Sequence, residues 1–280
     1  MSQGIYFIHS LNRAVYNYKM STQDIEKTRD EKKPDEKIVE VAQKAAKAEA
    51  APARVRRYRA LVFQGMVIAA IVAFAALSLL ASTTAYFPFD LQITLALQTF
   101  DNPIFAALMS AISWLGFTPQ SFIITGLIIG LLYGFGLHWE AVMAALAAAF
   151  VQGINTLLKI IVHRPRPDAD LVNVVNQLNS FSFPSGHVMY YTGFLGFMWF
   201  LAFTLLKASW KRTLLLIFFG GQVLLIGASR VYLGQHWTSD VVGAYLLGSL
   251  GLVVIILVYR WGKTRFFVHQ PTAQEPEKPK

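Results

Sequence analysis

The feature that most constrains this chain is a series of apolar runs, each close to 20 residues long and nearly free of charge. An α-helix of about 20 residues crosses the roughly 30 Å hydrocarbon core of a bilayer. Only 15% of the 280 residues are charged and 55% are hydrophobic, whereas a soluble domain carries about 25% charged residues. The sequence therefore predicts an all-α, polytopic membrane protein with six transmembrane helices. The predicted spans cover approximately residues 61–82, 119–136, 139–162, 185–206, 213–228 and 237–259.

The segment between the first two spans, residues 87–117, is also apolar but has a broken pattern. Five residues that favour turns or add polarity interrupt it: Pro88, Asp90, Asp101, Asn102 and Pro103. Prolines and turn-forming side chains end helices early, so one long span is disfavoured here. We predict short helices that lie at the membrane interface and that could frame a lateral opening.

The formal net charge is +9, but the basic residues do not form one patch of the kind that binds nucleic acid. They flank the apolar runs instead: Arg54, Arg56, Arg57 and Arg59 before the first, Lys207, Lys211 and Arg212 between the fourth and fifth, and Arg260, Lys263 and Arg265 after the last. An excess of lysine and arginine marks cytoplasmic segments. Both termini are therefore predicted in the cytoplasm, and the loops near residues 163–184 and 229–237 on the opposite face. No nucleic-acid partner is expected.

Composition predicts three parts along the chain. Residues 1–53 form a polar cytoplasmic tail, residues 54–265 the membrane domain, and residues 266–280 a second cytoplasmic tail. A mobile first tail is expected, and an amphipathic helix on the membrane surface stays open because five apolar residues recur there at roughly helical spacing: Ile5, Ile8, Leu11, Val15 and Tyr18. The first apolar run begins near Leu61, too late for a cleaved signal peptide. The chain has no cysteine, which excludes disulfides, thiolate metal ligands and a cysteine nucleophile.

The polar stretch from Ser229 to Asp240 separates two apolar runs and carries ionisable side chains. If a helix starts near Gln235, His236 and Asp240 lie one turn apart on the same face. A carboxylate in that position can fix the tautomer of the imidazole and raise its basicity, which suits a histidine that acts as a nucleophile or a base. Arg230 adds a guanidinium whose planar fork matches a phosphate.

Two further polar clusters fall on the same predicted membrane face. The first runs from Lys159 to Arg166; Lys159 lies near the end of an apolar helix, where its charge either binds an anion or simply extends to the interface. The second opens the fourth span, where Ser185 is a natural N-cap and the free amides of the first turn favour a phosphate. Gly186 permits a close backbone approach, and His187 stands where it can act as a general acid.

Together the three clusters resemble the signature of the type 2 phosphatidic acid phosphatase family, whose superfamily includes the vanadium haloperoxidases. The signature reads Lys, six residues, Arg-Pro; then Pro-Ser-Gly-His; then Ser-Arg, five residues, His, three residues, Asp. The matching residues are Lys159 with Arg166-Pro167, then Pro184-Ser185-Gly186-His187, then Ser229-Arg230 with His236 and Asp240. The resemblance extends over about residues 87–259 and leaves the first 53 residues outside.

The resemblance implies a role for each of these side chains. His236 would attack phosphorus and form a phosphohistidine, Asp240 would orient it, and His187 would protonate the leaving oxygen. The phosphoryl oxygens would be bound by a second group of residues, Lys159, Arg166, Arg230, Ser185 and the Gly186 amide. The resemblance also implies a reaction that needs no metal ion and no other cofactor.

Polar residues beside the motifs are expected to have lesser roles. His163 and Arg164 fall outside the signature, so a solvated position at the interface is expected, with contact to the rest of a substrate as the alternative. Asp168 and Asp170 are expected to be solvated loop carboxylates. The loop of residues 171–183 has no charged side chain; it either shapes a pocket for a head group or only connects two helices.

The predicted function is hydrolysis of a phosphate monoester or diphosphate on a lipid, on the non-cytoplasmic face of a bacterial cytoplasmic membrane. Substrates that the family implies are phosphatidic acid, phosphatidylglycerol phosphate and isoprenoid diphosphates such as undecaprenyl diphosphate. A phosphotransferase that passes the phosphate to another lipid fits the same residues. A catalytically silent lipid-binding protein is a third hypothesis. The expected partners are the phosphorylated lipid and the surrounding membrane lipids, and the sequence leaves the oligomeric state open.

Overall fold

A computed structural model of the chain describes residues 52–267, and every regular element in that range is helical. In chain order the helices are α1 Ala53–Thr83, α2 Pro88–Gln98, α3 Pro103–Trp114, α4 Gln120–Gly134, α5 His138–Val162, α6 Gly186–Leu205, α7 Trp210–Tyr232 and α8 Thr238–Gly262. A π-helical turn, Tyr191–Leu195, lies within α6, and another, Lys263–Phe267, follows α8. The predicted all-α membrane fold is confirmed.

Five of these helices are long and apolar enough to cross a membrane: α1, α5, α6, α7 and α8. The predicted second span corresponds to α4, which has only 15 residues. At 1.5 Å per residue α4 is about 22 Å long, which is shorter than a bilayer core of about 30 Å. The count of six spans therefore stays a prediction, with five candidates by length.

The predicted short helices between the first two spans are α2 and α3. Each begins with proline at its first position, where the missing N–H is not needed. The side chain of Asn102 ends the connection between them, because its Oδ1 accepts hydrogen bonds from Ile104 N and Phe105 N at 2.8 and 3.2 Å. The turn residues that interrupt the apolar pattern thus form the caps of separate helices.

One compact unit comprises Met66–Tyr259, and the described residues on either side of it, 52–65 and 260–267, belong to a second unit. The core of the first unit is formed largely by α5, α6 and α7, whose fully buried side chains include Met143, Tyr191, Phe194, Phe197 and Ile226. Many large apolar side chains on the outside of the same helices are exposed. Helices that are apolar all round are typical of membrane spans. The predicted tails fall almost entirely outside the described residues.

Four helix ends meet at one end of this core, the C-terminal ends of α5 and α7 and the N-terminal ends of α6 and α8. Asn155 of α5 donates from Nδ2 to the Pro184 carbonyl, 3.0 Å away, directly before α6. Ser185 N donates to the carbonyl of Asp240 in α8 at 3.3 Å. The connection of residues 163–185 and the turn of residues 233–237 therefore lie together.

Two local predictions about the third motif were wrong. Helix α7 continues to Tyr232, so Ser229 and Arg230 belong to its last turns and not to a loop. Helix α8 begins only at Thr238, so His236 lies in the turn before the helix. The predicted fifth span ended too early because Ser229 and Arg230 are polar. In the structure both residues are buried against protein, where each has a hydrogen-bond partner.

Candidate active site

His236 lies in the short turn between α7 and α8 and is only 1% exposed. Gly234 gives the turn its shape with a positive φ of 65°, a backbone conformation that favours glycine. The two ring nitrogens of His236 have different neighbours. Nε2 lies 3.3 Å from Arg166 Nη1, whereas Nδ1 lies 3.4 Å from Ser182 Oγ and 3.6 Å from Asp240 Oδ2. Nδ1 therefore faces hydroxyl and carboxylate groups, and Nε2 faces a cation.

The pKa of His236 lies well below its ordinary value of 6.5. Burial is the largest cause, and the positive charges of Arg166, Arg230 and Lys159 follow in that order. The three predicted phosphate ligands are thus close enough to act on the imidazole. A neutral ring at pH 7 keeps the lone pair on one nitrogen, which a nucleophile requires.

Asp240 is completely buried, and both of its oxygens have donors. Oδ1 accepts from Arg164 Nη1 at 2.6 Å. Oδ2 accepts from Trp237 N at 2.9 Å and from the hydroxyl of Ser182. The predicted proximity of His236 and Asp240 holds, but it comes from this carboxylate capping the start of α8, with Ser182 between the two side chains.

Arg166 connects the loop after α5 to the turn that carries His236. It donates from Nη1 to the Gln235 carbonyl at 2.6 Å, and from Nε and Nη2 to the carbonyl and hydroxyl of Ser180 at 2.7 and 2.9 Å. Burial lowers its pKa to about 10, and the charge of Asp240 opposes that shift. Arg166 is therefore still a cation at pH 7, fixed beside His236 Nε2.

Lys159 lies in the last turn of α5, one turn before the left-handed residue His163 ends the helix. Its Nζ donates to the carbonyl of Phe181 at 2.8 Å. The side chain of Lys159 thus points toward the connection of residues 163–185 and does not simply extend away from the protein. An ammonium group has three N–H donors, so this contact leaves donors for an anion.

The predicted cap of α6 has an unusual feature. Ser185 occupies the N-cap position, yet its hydroxyl makes no capping hydrogen bond. Ser185 Oγ and His187 Nε2 are both buried, and neither has a hydrogen-bond partner among residues 52–267. Buried polar atoms of this kind are rare and often mark a functional site. At Gly186 a Cβ atom would come within 3.1 Å of Asn155 Oδ1, so a larger residue would crowd the cap.

Arg230 projects from the last turns of α7 and is also fully buried. Its Nη1 donates to Ser113 Oγ at 2.6 Å, and its Nη2 donates to Gln235 Oε1. Its Nε is buried with no partner in the described part of the chain. The ring of Phe117 lies 5.4 Å from the guanidinium carbon and 4.8 Å from the ring of His187, so one aromatic side chain contacts two predicted site residues.

The expectation for Arg164 was wrong. Arg164 is 1% exposed and forms ion pairs with Asp90 and Asp240, so it is neither solvated nor free to bind a substrate. His163 is exposed, as expected, and its ring packs against Phe181 at 4.4 Å. Asp168 is exposed too, and it accepts a local bond from the Asp170 amide at 3.1 Å.

Sequence reasoning missed three residues that support the site, Asp90, Arg164 and Ser182. Asp90 had been noted only as an interruption of an apolar segment, and Ser182 as part of an uncharged loop. The one usable signal was the presence of Arg164 and Asp90 in apolar surroundings, because charges at membrane depth generally pair with each other.

Comparison with known proteins agrees with the resemblance that the motifs carry. Residues 139–267 match the family model of the PAP2 superfamily. Phosphatidylglycerophosphatase B of Bacillus subtilis strain 168 is 37% identical over 122 residues, which are 43% of this chain and 57% of that protein. The putative undecaprenyl-diphosphatase YbjG of Escherichia coli K12 is 34% identical over 79 residues, 28% of this chain and 35% of that protein. The matched segments thus cover just over half of one curated relative and about a third of the other.

Two crystal structures share the fold. The first transmembrane PAP2 type phosphatidylglycerolphosphate phosphatase from Bacillus subtilis matches with a TM-score of 0.62 at 27% identity, over 71% of this chain and 98% of that one. LpxE from Aquifex aeolicus matches with a TM-score of 0.50 over 61% and 96% of the two chains. At 21% identity the second likeness concerns the fold alone.

The helical membrane fold, the three motifs and these matches agree on one class of protein. Residues 139–267 match the PAP2 superfamily, and the resemblance of the chain to the type 2 phosphatidic acid phosphatases is confirmed.

Proposed function

We propose that this protein is a membrane lipid phosphatase that cleaves a phosphate monoester or diphosphate of a lipid through a phosphohistidine on His236. The observation that carries the proposal is the position of its Nε2 beside a fixed cation, Arg166, at 3.3 Å. Three buried groups with no hydrogen-bond partner in the described range, Ser185 Oγ, His187 Nε2 and Arg230 Nε, add one acid and two donors to the same site. The match to the PAP2 superfamily and the names of the relatives support the same reaction.

In the first step the neutral imidazole of His236 attacks phosphorus through Nε2. An N–P bond forms and the bond from phosphorus to the ester oxygen breaks, while His187 gives a proton to the leaving oxygen. Nδ1 keeps its hydrogen and becomes part of an imidazolium, which the carboxylate of Asp240 stabilises. Lys159, Arg166 and Arg230 offset the charge on the equatorial phosphoryl oxygens.

In the second step a water molecule attacks the phosphohistidine. His187, now neutral, accepts a proton from the water as the O–P bond forms, and the N–P bond to His236 breaks. Inorganic phosphate leaves and both histidines return to their starting protonation. If a lipid hydroxyl took the place of water, the same residues would transfer the phosphate to that lipid.

The substrate proposal combines the position of the site with the relatives. The site lies at the ends of four apolar helices, so a phosphate group carried on a lipid can reach it from the membrane. The named activities of the relatives point to phosphatidylglycerol phosphate and undecaprenyl diphosphate as the first compounds to test. The placement of Lys207, Lys211 and Arg212 between α6 and α7 supports a cytoplasmic position for that connection. Since the connection lies at the opposite ends of α6 and α7 from the site, the site would face the non-cytoplasmic side of a bacterial membrane.

The test is release of phosphate by the purified full chain from a panel of lipids: phosphatidic acid, phosphatidylglycerol phosphate and undecaprenyl diphosphate, each with and without a chelator. We expect release from at least one lipid, no loss with chelator, and no release by His236→Gln. The matched control is His138→Gln, which changes an exposed histidine at the start of α5.

Samples with labelled substrate that are quenched in base should contain a phosphohistidine, which is stable in base and labile in acid, in the wild type only. Full activity of His236→Gln would rule out the nucleophile. Transfer of label to an added acceptor lipid without free phosphate would replace hydrolysis by phosphotransfer.

A further inference from the structure

A chain of buried ion pairs lies behind His236 and reaches the short helix α2. The side chains of Asp90, Arg164 and Asp240 have no exposed surface. Arg164 Nη1 lies 2.6 Å from Asp240 Oδ1, and its Nη2 lies 3.1 Å from Asp90 Oδ2. One guanidinium therefore joins the carboxylate beside the imidazole to a second carboxylate 150 residues earlier in the sequence.

The nitrogens of Arg164 all donate to protein atoms. Its Nε donates to the carbonyls of Thr84 and Ala85 at 3.2 and 3.1 Å, and its Nη1 donates to Ser239 Oγ at 2.7 Å in addition to Asp240. The two remaining contacts are those with the carboxylates. This separates Arg164 from Arg166, two residues later, which contacts the histidine. Arg164 is built into the structure and acts on the site through Asp240.

Asp90 also fixes the start of α8. Its Oδ1 accepts from Ser239 N at 2.7 Å, and its Oδ2 accepts from Ser239 Oγ at 2.7 Å. The same Oδ2 accepts from Phe87 N at 3.0 Å, so Asp90 also caps its own helix. Amides in the first turn of a helix have no partner within the helix, and a carboxylate there is favourable. Asp90 thereby holds the residue directly before Asp240.

The charges in this chain complement the proposed reaction. Two carboxylates and one guanidinium leave a single negative charge, which lies beside His236 Nδ1. The imidazole of His236 becomes positively charged when it attacks phosphorus, and this negative charge would stabilise it. Because Arg164 occupies Oδ1 of Asp240, the other oxygen is the one that faces the imidazole at 3.6 Å. A buried carboxylate without such a partner would be costly.

We infer that Asp90 and Arg164 are positioning residues for the nucleophile. Together they set which oxygen of Asp240 faces His236 and keep that carboxylate charged, without touching the substrate. The inference rests on the proposed role of His236 and extends the working site to α2, outside the three signature motifs.

The experiment compares two anions that need the nucleophile to different degrees. Orthovanadate accepts a histidine nitrogen as a fifth ligand and so resembles the transition state of phosphoryl transfer, whereas inorganic phosphate needs only the cations. Affinities for both are measured on the purified full chain by ligand-induced shifts in thermal unfolding. The variants are Asp90→Asn and Arg164→Lys, with Asp101→Asn as the control because Asp101 is exposed in the connection after α2. Arg164→Lys keeps the charge but loses the fork that joins two carboxylates.

We expect both variants to bind vanadate about 10- to 100-fold more weakly, the effect of a displacement near 1 Å at a reacting group. Phosphate affinity should stay at the wild-type value, and kcat for the lipid should fall by the same factor with KM unchanged. Asp101→Asn should behave as wild type in all of these measurements.

The other outcomes count against the inference in distinguishable ways. Wild-type vanadate affinity in both variants overturns it and leaves the proposed function standing. An equal loss for vanadate and phosphate means that the residues only support the fold, which also overturns it. If the wild type and His236→Gln bind vanadate alike, the nucleophile itself is wrong, and the proposed function and the inference fall together.

Discussion

Replacing Ser182 by alanine isolates one contact at the centre of the site. The side chain is fully buried, its hydroxyl donates to Asp240 Oδ2, and its oxygen lies 3.4 Å from His236 Nδ1. Alanine fills nearly the same space, so the change removes the hydroxyl and little else. Within residues 52–267, Asp240 Oδ2 then keeps one hydrogen-bond donor, the Trp237 amide at 2.9 Å.

The size of the effect follows from the charge on the acceptor. A hydrogen bond to a buried charged group contributes about 1.5–3 kcal/mol. The carboxylate that loses this donor is held less firmly on the line between Arg164 and the imidazole. If the whole loss appears in the transition state, kcat falls about 10- to 150-fold, since about 1.4 kcal/mol equals one factor of ten.

The assay is steady-state phosphate release from the best lipid of the panel, with thermal unfolding measured on the same preparations. Ser110→Ala is the matched control, because Ser110 is an exposed serine in α3. The expected result is a lower kcat with an unchanged KM. A kcat within a factor of about two of the wild type corresponds to less than about 0.5 kcal/mol. That result would refute the reasoning that Ser182 bridges the carboxylate of Asp240 and the imidazole of His236.

Two further predictions concern the turn that carries His236. Gly234→Ala should destabilise the protein more than Gly136→Ala. Both glycines have a positive φ, 65° and 76°, and this conformation costs alanine about 1 kcal/mol at either position. Of the two, Gly234 is the one at which the new Cβ would collide with a backbone atom, the carbonyl oxygen of Asn173. Equal losses in thermal unfolding would contradict this. The second prediction concerns pH. The pKa of His236 is lowered in the folded protein, so as the pH falls this histidine is protonated first in the unfolded chain. The free energy of unfolding therefore decreases as the pH falls below about 6.5. The decrease is up to about 1.4 kcal/mol per pH unit until the folded pKa is reached. Unfolding of wild type and His236→Gln from pH 7.5 to 5.5 should show a steeper slope in the wild type, and parallel curves would contradict it.

The three motifs could be recognised in the sequence because their spacing and chemistry are local signals. Lysine, arginine, histidine and a glycine-containing helix start are groups that favour a phosphate wherever they occur in a chain. The helices could be predicted for the same reason, since 20-residue apolar runs have few alternatives. The length of α4 was less predictable, because hydropathy around Pro119 and Phe135 does not show where a helix ends.

The supporting residues could not be predicted, because their roles depend on contacts between distant parts of the chain. Arg164 appeared to belong to an exposed loop, as most arginines next to membrane spans do. Its burial is stable only because Asp90 and Asp240 lie 74 and 76 residues away in sequence but within 3.1 Å in space. No periodicity or spacing rule connects residues across that separation. Ser182 gave even less signal, since a serine in a polar loop is common.

Helix α2 changes the interpretation of the apolar segment between the first two predicted spans. At its start Asp90 holds the first turn of α8 through Ser239. At its end Gln98 donates from Nε2 to the carbonyls of Asn173 and Tyr232 at 2.7 and 2.9 Å, and its Oε1 accepts from Asn173 N at 3.0 Å. The same short helix therefore holds the loop of the first motif, the end of α7 and the beginning of α8. A segment predicted to lie at the interface thus fixes the relative positions of the three elements that surround His236, and this accounts for Asp90 and Gln98 in apolar surroundings.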